Sequence, residues 1–230
     1  RDGETEILSG VLADETGRLP FTDWDPHAEI EEGADLRIEN VYLREFRGVP
    51  SINVSEFSTV RTLDREVEPA GSTRLSIREA VESGGVFDVE VVGHVLGVRD
   101  GSGLIQRCPE CGRVIQKGQC RSHGEVDGVD DLRIRAIIDD GTGTLTATLG
   151  EDITEAVYGG GIDEAREAAR EAMDQEVVAD AIAEQIVGRE FRVRGNLSVD
   201  DYGANLDGAA FEPVDDDPAE RAAALVEGAR

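Results

Sequence analysis

Residues 14–19 read Asp-Glu-Thr-Gly-Arg-Leu, and residues 140–145 read Asp-Gly-Thr-Gly-Thr-Leu. Both lie between runs in which apolar and polar residues alternate, the pattern of a half-buried strand. Before the first copy stand Ile7, Leu8, Val11 and Leu12, and after it Leu19 and Phe21. The second is preceded by DLRIRAII at 131–138 and followed by TLTATL at 144–149, and Thr22 and Thr148 stand at the same distance from their turns. An Asp-x-Thr-Gly turn between alternating strands predicts a β-hairpin, so the chain carries an internal repeat of a β unit.

Outward from the two hairpins the units continue alike. The first predicts a strand at 36–46, a turn at Arg47-Gly48-Val49-Pro50 and a return strand at 51–60. The second opens with a strand run from Val86 and closes with strands near 190–197 and 204–211, joined by Asp200-Asp201-Tyr202-Gly203. Between them, 151–187 is rich in Ala and Glu with Ile182, Ile186 and Val187 at helical spacing, and Gly188 ends it. The second unit therefore reads as the first with a helical insertion before its last hairpin. Short strands in this order, with a helix between the third and fourth, give a partly open Greek-key barrel of the OB type. The predicted fold is all-β with a helical insertion. A first, N-terminally incomplete OB barrel covers 1–63 and lacks an opening strand, expected to lie before Arg1. A linker with a short helix at 75–83 covers 64–85. A second barrel covers 86–214, and an acidic, Ala-rich tail covers 215–230.

All three cysteines fall in one pattern, Cys108-x2-Cys111-x8-Cys120-x2-His123. Two close pairs of soft and borderline ligands suit a tetrahedral zinc with no open position, so one structural zinc in a ribbon at 104–126 is expected. An odd number of thiols makes a poor disulfide framework and fits a reducing cytoplasm. His27 and His94 have no partner at ligand spacing.

The net charge is −27, from 50 acidic and 23 basic residues, and Lys117 is the only lysine. Spread along alternating strands, this bias reads as adaptation to high salt, where the Debye length shrinks to about 3 Å and like charges repel little. Against it, 99–123 carries Arg99, Arg107, Arg113, Lys117 and Arg121 with only Asp100 and Glu110. Binding of single strands asks for flat aromatics and cations. The candidates are Trp24, Phe46 and Tyr202, with Arg44, Arg47, Lys117 and the outward-facing Arg133, Arg135, Arg192 and Arg194. Phe21, Phe87 and Phe191 alternate in phase with aliphatics and are assigned to the barrels. No apolar run is long enough for a membrane span. No HExxH, phosphate loop or nucleophile–base pair is present, so an enzyme is not expected.

With these residues in hand, the chain resembles the large subunit of archaeal, specifically haloarchaeal, replication protein A. The resemblance rests on Asp14-Glu15-Thr16-Gly17 with Thr22 and Trp24, and on a zinc ribbon inserted between strands one and two of the last OB-fold. It implies single-stranded DNA binding in replication, repair and recombination without catalysis, and other subunits and replication or repair proteins as partners. It also implies a stacking aromatic at Trp24. The matching position in the second unit is Gly150, a departure from the family. The competing readings are an RNA-binding or RNA-processing accessory protein, a hydrolase, and a protein-interaction scaffold built on 151–187.

Overall fold

The computed structural model describes residues 6–46 and 48–214, with the backbone alone at Phe46. Arg47, the Phe46 side chain and the tail at 215–230 lie outside the described residues. The chain is mostly β. Strands β1 (Leu8–Asp14) and β2 (Gly17–Asp23) form the first hairpin, paired from Leu8↔Asp23 to Asp14↔Gly17. Its turn is held by one carboxylate oxygen. Asp14 Oδ1 accepts the backbone N–H of Thr16 at 2.8 Å and of Gly17 at 3.2 Å, and the Thr16 hydroxyl at 2.6 Å. Aspartate favours turns through such local bonds.

The run expected as one strand at 36–46 is two: β3 (Leu36–Glu39) and β4 (Tyr42–Phe46). Asn40 separates them at φ 61°, a left-handed conformation that Asn tolerates better than most residues. The return is likewise split, into β5 (Val49–Val54) and β6 (Thr59–Thr62). The break lets β3 pair with β6 in its own ribbon, while β1, β2, β5 and β4 make a sheet in that order.

Next come β7 (Thr73–Arg74), α1 (Ile77–Glu82) and the long β8 (Gly85–Val98). The expected linker thus contributes short strand segments of its own. A subdomain of β9 (Gly103–Arg107), β10 (Val114–Ile115), β11 (Gln119–Cys120) and β12 (Gly124–Glu125) follows. Then come β13 (Val129–Asp139) and β14 (Thr144–Leu149). Helices α2 (Glu151–Tyr158), α3 (Ile162–Ala172) and α4 (Glu176–Ile186) precede β15 (Glu190–Asp200) and β16 (Gly203–Pro213).

Pairing in the second half runs β13-β14-β16-β15-β8, and β8 pairs back onto β13, so five strands close into a ring. The inward positions alternate as the pleat requires: Val89 and Val91 on β8, Ile134 and Ile138 on β13, Val193 and Leu197 on β15 are fully buried. Each such side chain is worth about 1.5–3 kcal/mol on burial. Helices α3 and α4 extend the same core with Ala165, Val178, Ile182 and Ile186, packed with Leu104 and Leu132. Phe191 is buried in the ring and stacks on Phe211, centroids 4.0 Å apart, whereas Phe87 is only half-buried and lines a cavity between the two halves.

Four strands of the first half repeat the pairing of four in the second. The antiparallel β1–β2, parallel β2–β5 and antiparallel β4–β5 pairings match β13–β14, β14–β16 and β15–β16. Among the described residues no strand joins β1 to β4 as β8 joins β13 to β15. A cavity of about 1660 Å³ opens there, lined by Leu12, Leu19, Phe21, Leu36 and Ile38 and by Val86 of the second half.

The two halves touch through Asp88, at φ 54° on β8. Its carboxylate takes a forked pair of N–H bonds from Arg194, at 2.5 and 2.8 Å, and lies 3.2 Å from Arg18 Nε of β2. The Arg194 bonds hold the Asp88 carboxyl below its ordinary range against the opposing effect of burial. Gly48, at φ 78°, presses on the Gly84 carbonyl so closely that a Cβ would stand 2.1 Å from the oxygen; no other residue fits.

The second Asp-x-Thr-Gly turn has a duty the first lacks. Asp140 Oδ1 holds the turn through the N–H groups of Thr142 and Gly143, at 2.8 and 3.1 Å, while Oδ2 accepts the Ile77 N–H at the start of α1, at 2.8 Å. Asp140→Ala should therefore cost about 1–2 kcal/mol. Asp14→Ala, which loses turn bonds alone, should cost about half as much or less. Urea unfolding of both variants in molar potassium chloride, followed by circular dichroism, checks the order.

Candidate metal centre and nucleic-acid interface

The subdomain between β8 and β13 is two small hairpins whose turns face each other. β9–β10 carries Cys108 and Cys111, and β11–β12 carries Cys120 and His123. The turn after Cys108 is closed by Cys108 N–H to Arg113 O at 2.8 Å and Gly112 N–H to Cys108 O at 2.9 Å. The four ligand atoms all lie within 4.8 Å of one another. Cys108 Sγ stands 3.4 Å from His123 Nδ1, Cys111 Sγ 3.7 Å from Cys120 Sγ, and Cys120 Sγ 3.7 Å from His123 Nδ1. Metal–sulfur and metal–nitrogen bonds of ordinary length set tetrahedron edges of about 3.8 Å for S···S and about 3.5 Å for S···N, so the donors fit one ion.

Backbone amides favour the thiolate at Cys120. The Ser122 N–H, then that of His123, draws Cys120 down to about 6 although burial opposes it. Thiolate is the ligating form. The subdomain's own core is only Cys108, Ile115 and Cys120 with Val126 against them. So little apolar surface does not hold a fold alone, and an ion held by these four donors would supply the missing energy. All four donors come from the protein, so a tetrahedral ion held here would have no open position.

Trp24 follows the last residue of β2 and is 46% exposed. Its backbone N–H continues the ladder to Val54 O at 3.2 Å, and its indole Nε1–H donates to Asn53 Oδ1 at 3.0 Å. Asn53 is buried. Behind the indole, the buried Asp23 carboxylate accepts the N–H of Asp25 at 3.2 Å and of His27 at 2.8 Å, and its Oδ2 lies 2.9 Å from His27 Nδ1. Across the sheet Tyr42 stands opposite Asn53, and Arg44 opposite Ser51. The Arg44 guanidinium lies over the Tyr42 ring, 5.4 Å from its centroid. Tyr42 and Asn53 were not singled out from the sequence, although Tyr42, Arg44 and Phe46 alternate visibly along one strand.

The other expected residues divide by their partners. Arg133 donates from Nε and Nη2 to Gly101 O at 2.9 and 2.7 Å, and Arg135 donates to Asp100 O at 3.2 Å. These acceptors are neutral, so the charge is not cancelled. Burial first, then repulsion from Arg135 and Arg107, pulls Arg133 below its ordinary range. Arg192 lies between Glu90 at 3.4 Å and Glu212 at 3.8 Å, and Arg194 is forked on Asp88; both charges are matched by carboxylates. Lys117 is exposed in the metal subdomain, with no ion pair among the described residues. Tyr202 is 95% exposed at the tip of the β15–β16 hairpin. Gly150, matching Trp24, is the N-cap of α2.

No family model matches the chain. The single-stranded DNA-binding protein Ssb of Saccharolobus solfataricus is 30% identical over 73 residues, which are 31% of this chain and 49% of that protein. The chain thus spans about half the length of this curated relative. Among solved structures, a replication protein A heterotrimer bound to single-stranded DNA aligns at TM-score 0.48 and 13% identity over 97% of this chain and 63% of that one. Yeast RPA bound to single-stranded DNA aligns at TM-score 0.41 and 16% identity over 69% and 98%. A murine DNA-binding protein bound with double-stranded DNA aligns at 0.41 and 12% over 93% and 90%.

Because the metal subdomain's apolar core is so small, a strong chelator should strip one metal equivalent per chain and release amide-exchange protection across 104–126. The ring strands should keep theirs. Cys111→Ala should act likewise, read by exchange mass spectrometry.

Proposed function

We propose that the chain binds single-stranded DNA as a replication protein A-type protein, without catalysis. In this reading the halves at 1–63 and 86–214 are two OB barrels, the first open between β1 and β4, and the ion is a single zinc. The observation that carries it is Trp24, a half-exposed indole pinned by a buried amide on a sheet face shared with Tyr42 and Arg44. An indole meant for packing is buried; one held rigid at the surface pays little entropy on stacking a base. The likeness to a single-stranded DNA-binding protein supports the same reading.

The second barrel contributes through Arg133 and Arg135, whose charge is uncancelled, through Lys117 of the metal subdomain, and through Tyr202. Phe46 and Arg47 are further candidates for contact with the strand, by their residue types alone. Other subunits of the same assembly and replication or repair proteins are the partners expected, in an archaeal cytoplasm of high salt. Among the described residues no helix is long and apolar enough to cross a membrane.

At −27 net charge the protein repels DNA at low salt, and at molar salt phosphate attraction is screened. Stacking, at about 1–3 kcal/mol per base, has to carry the affinity. Trp24→Ala should weaken oligo-dT binding about tenfold or more, Arg47→Ala clearly less, and the parent's salt dependence should be shallow in the molar range. Fluorescence anisotropy of labelled oligo-dT at two or more potassium chloride concentrations measures all three. Equal affinity for a matched RNA would point instead to an RNA-binding role, and metal analysis should return one zinc per chain.

A further inference from the structure

The two halves carry the same strands with different chemistry at matching places, and the difference isolates a subsite. In the ring of the second half the row Thr148, Asp207, Asn196 crosses β14, β16 and β15. Asn196 Oδ1 is taken by the Asp88 N–H at 3.1 Å, and the neighbouring Arg194 by the Asp88 carboxylate. That row holds the ring together. In the first half the matching row is Thr22, Asn53, Tyr42, crossing β2, β5 and β4. Here the Asn53 amide oxygen is taken by the Trp24 indole, and Arg44, which matches Ser198 in register, lies on Tyr42 with no carboxylate among its described partners. Trp24 stands two residues past Thr22 with the ladder unbroken, so period two keeps it on the same face.

We infer that Asn53 is the positioning residue of a two-platform subsite, in which Trp24 and Tyr42 stack bases of one strand and Arg44 meets the backbone between them. This rests on the single-stranded DNA reading and names the residues that execute it.

Three facts carry the inference. Asn53 is 3% exposed, and its oxygen is spent on the indole edge, 3.0 Å away; the bond orients a ring that is otherwise half in solvent. Among the described residues its side chain makes one other polar contact, a 3.5 Å approach of Nδ2 to Ser51 O. Tyr42 is 43% exposed and directly opposite Asn53, so the buried amide lies between two exposed aromatics. Neighbouring strands lie about 4.7–4.9 Å apart, so Tyr42 and Trp24, on the strands either side of β5, stand roughly 10 Å or more apart and would take bases that are not immediate stacking neighbours. Arg44 over Tyr42 supplies a cation at the platform's edge that costs no ion pair to recruit.

Trp24 is the only tryptophan, so its fluorescence reports the subsite directly. The test uses the full chain with oligo-dT in 2 M potassium chloride, with circular dichroism to verify folding. Asn53→Leu should shift Trp24 emission, raise its quenching by acrylamide and weaken binding about tenfold. Asn53→Asp keeps an acceptor for the indole and should restore both emission and affinity, since molar salt screens its charge. Tyr42→Ala should weaken binding about fivefold to tenfold without moving Trp24 emission, and Tyr42→Phe should bind like the parent. Parent-like affinity in Tyr42→Ala, or in Asn53→Leu, while Trp24→Ala loses affinity, overturns the inference and leaves the DNA-binding reading intact. Parent-like affinity in Trp24→Ala itself overturns the reading on which it rests. If Asn53→Leu does not fold, the Asn53→Asp and Tyr42 pairs decide alone.

Discussion

Strand β8 is hydrogen-bonded along both edges, to β13 on one side and β15 on the other, and that double pairing closes the ring. An open sheet leaves two rows of N–H and C=O groups unpaired; closure satisfies them and encloses an apolar interior in one step. Most other features of the second half hang on it. The metal subdomain continues from β8 and β13 through β9. Helix α1, which leads into β8, is capped by the turn that joins β13 to β14. Asp88, on β8, binds both Arg194 of the ring and Arg18 of the first half.

The first half shows what the same strands do with β1 and β4 left unjoined. Its sheet keeps the pairing senses, but Leu43, on the row of Ile52 and Phe21, is 65% exposed, and Val11 is 45% exposed. Its only buried hydrophobics among the described residues are Phe21 and Val54, against more than twenty in the ring cluster. Rigidity there comes from polar devices instead: the Asp14 turn, the buried Asp23 collecting amides of the next loop, and Asn53 under Trp24. In the ring the counterpart of Tyr42, Asn196, is instead committed to an internal bond from the Asp88 N–H.

Charge follows the same division. Arg192 and Arg194 face carboxylates, and a cation so matched has little left for a phosphate. Arg133, Arg135 and Arg44 touch carbonyls or a ring and keep their charge. Period two put all the arginines on outer faces alike; only the cross-strand neighbours, far away in sequence, distinguish them.

Much was determined by the sequence alone, because the signals are local. Alternation across an Asp-x-Thr-Gly turn specifies a hairpin wherever it occurs, helical spacing marks 151–187, and the Cys108, Cys111, Cys120, His123 spacing needs only two tight turns to bring four donors together. What the tertiary structure decided is non-local. The break at Asn40 diverts β3 to pair with β6, the sharing of Asp88 between two arginines ties the halves together, and the Asn53 amide beneath Trp24 depends on a parallel pairing of β2 with β5 across the intervening β3 and β4. No window of sequence contains both partners of such a contact, and the register that joins them is set by burial of the whole sheet face.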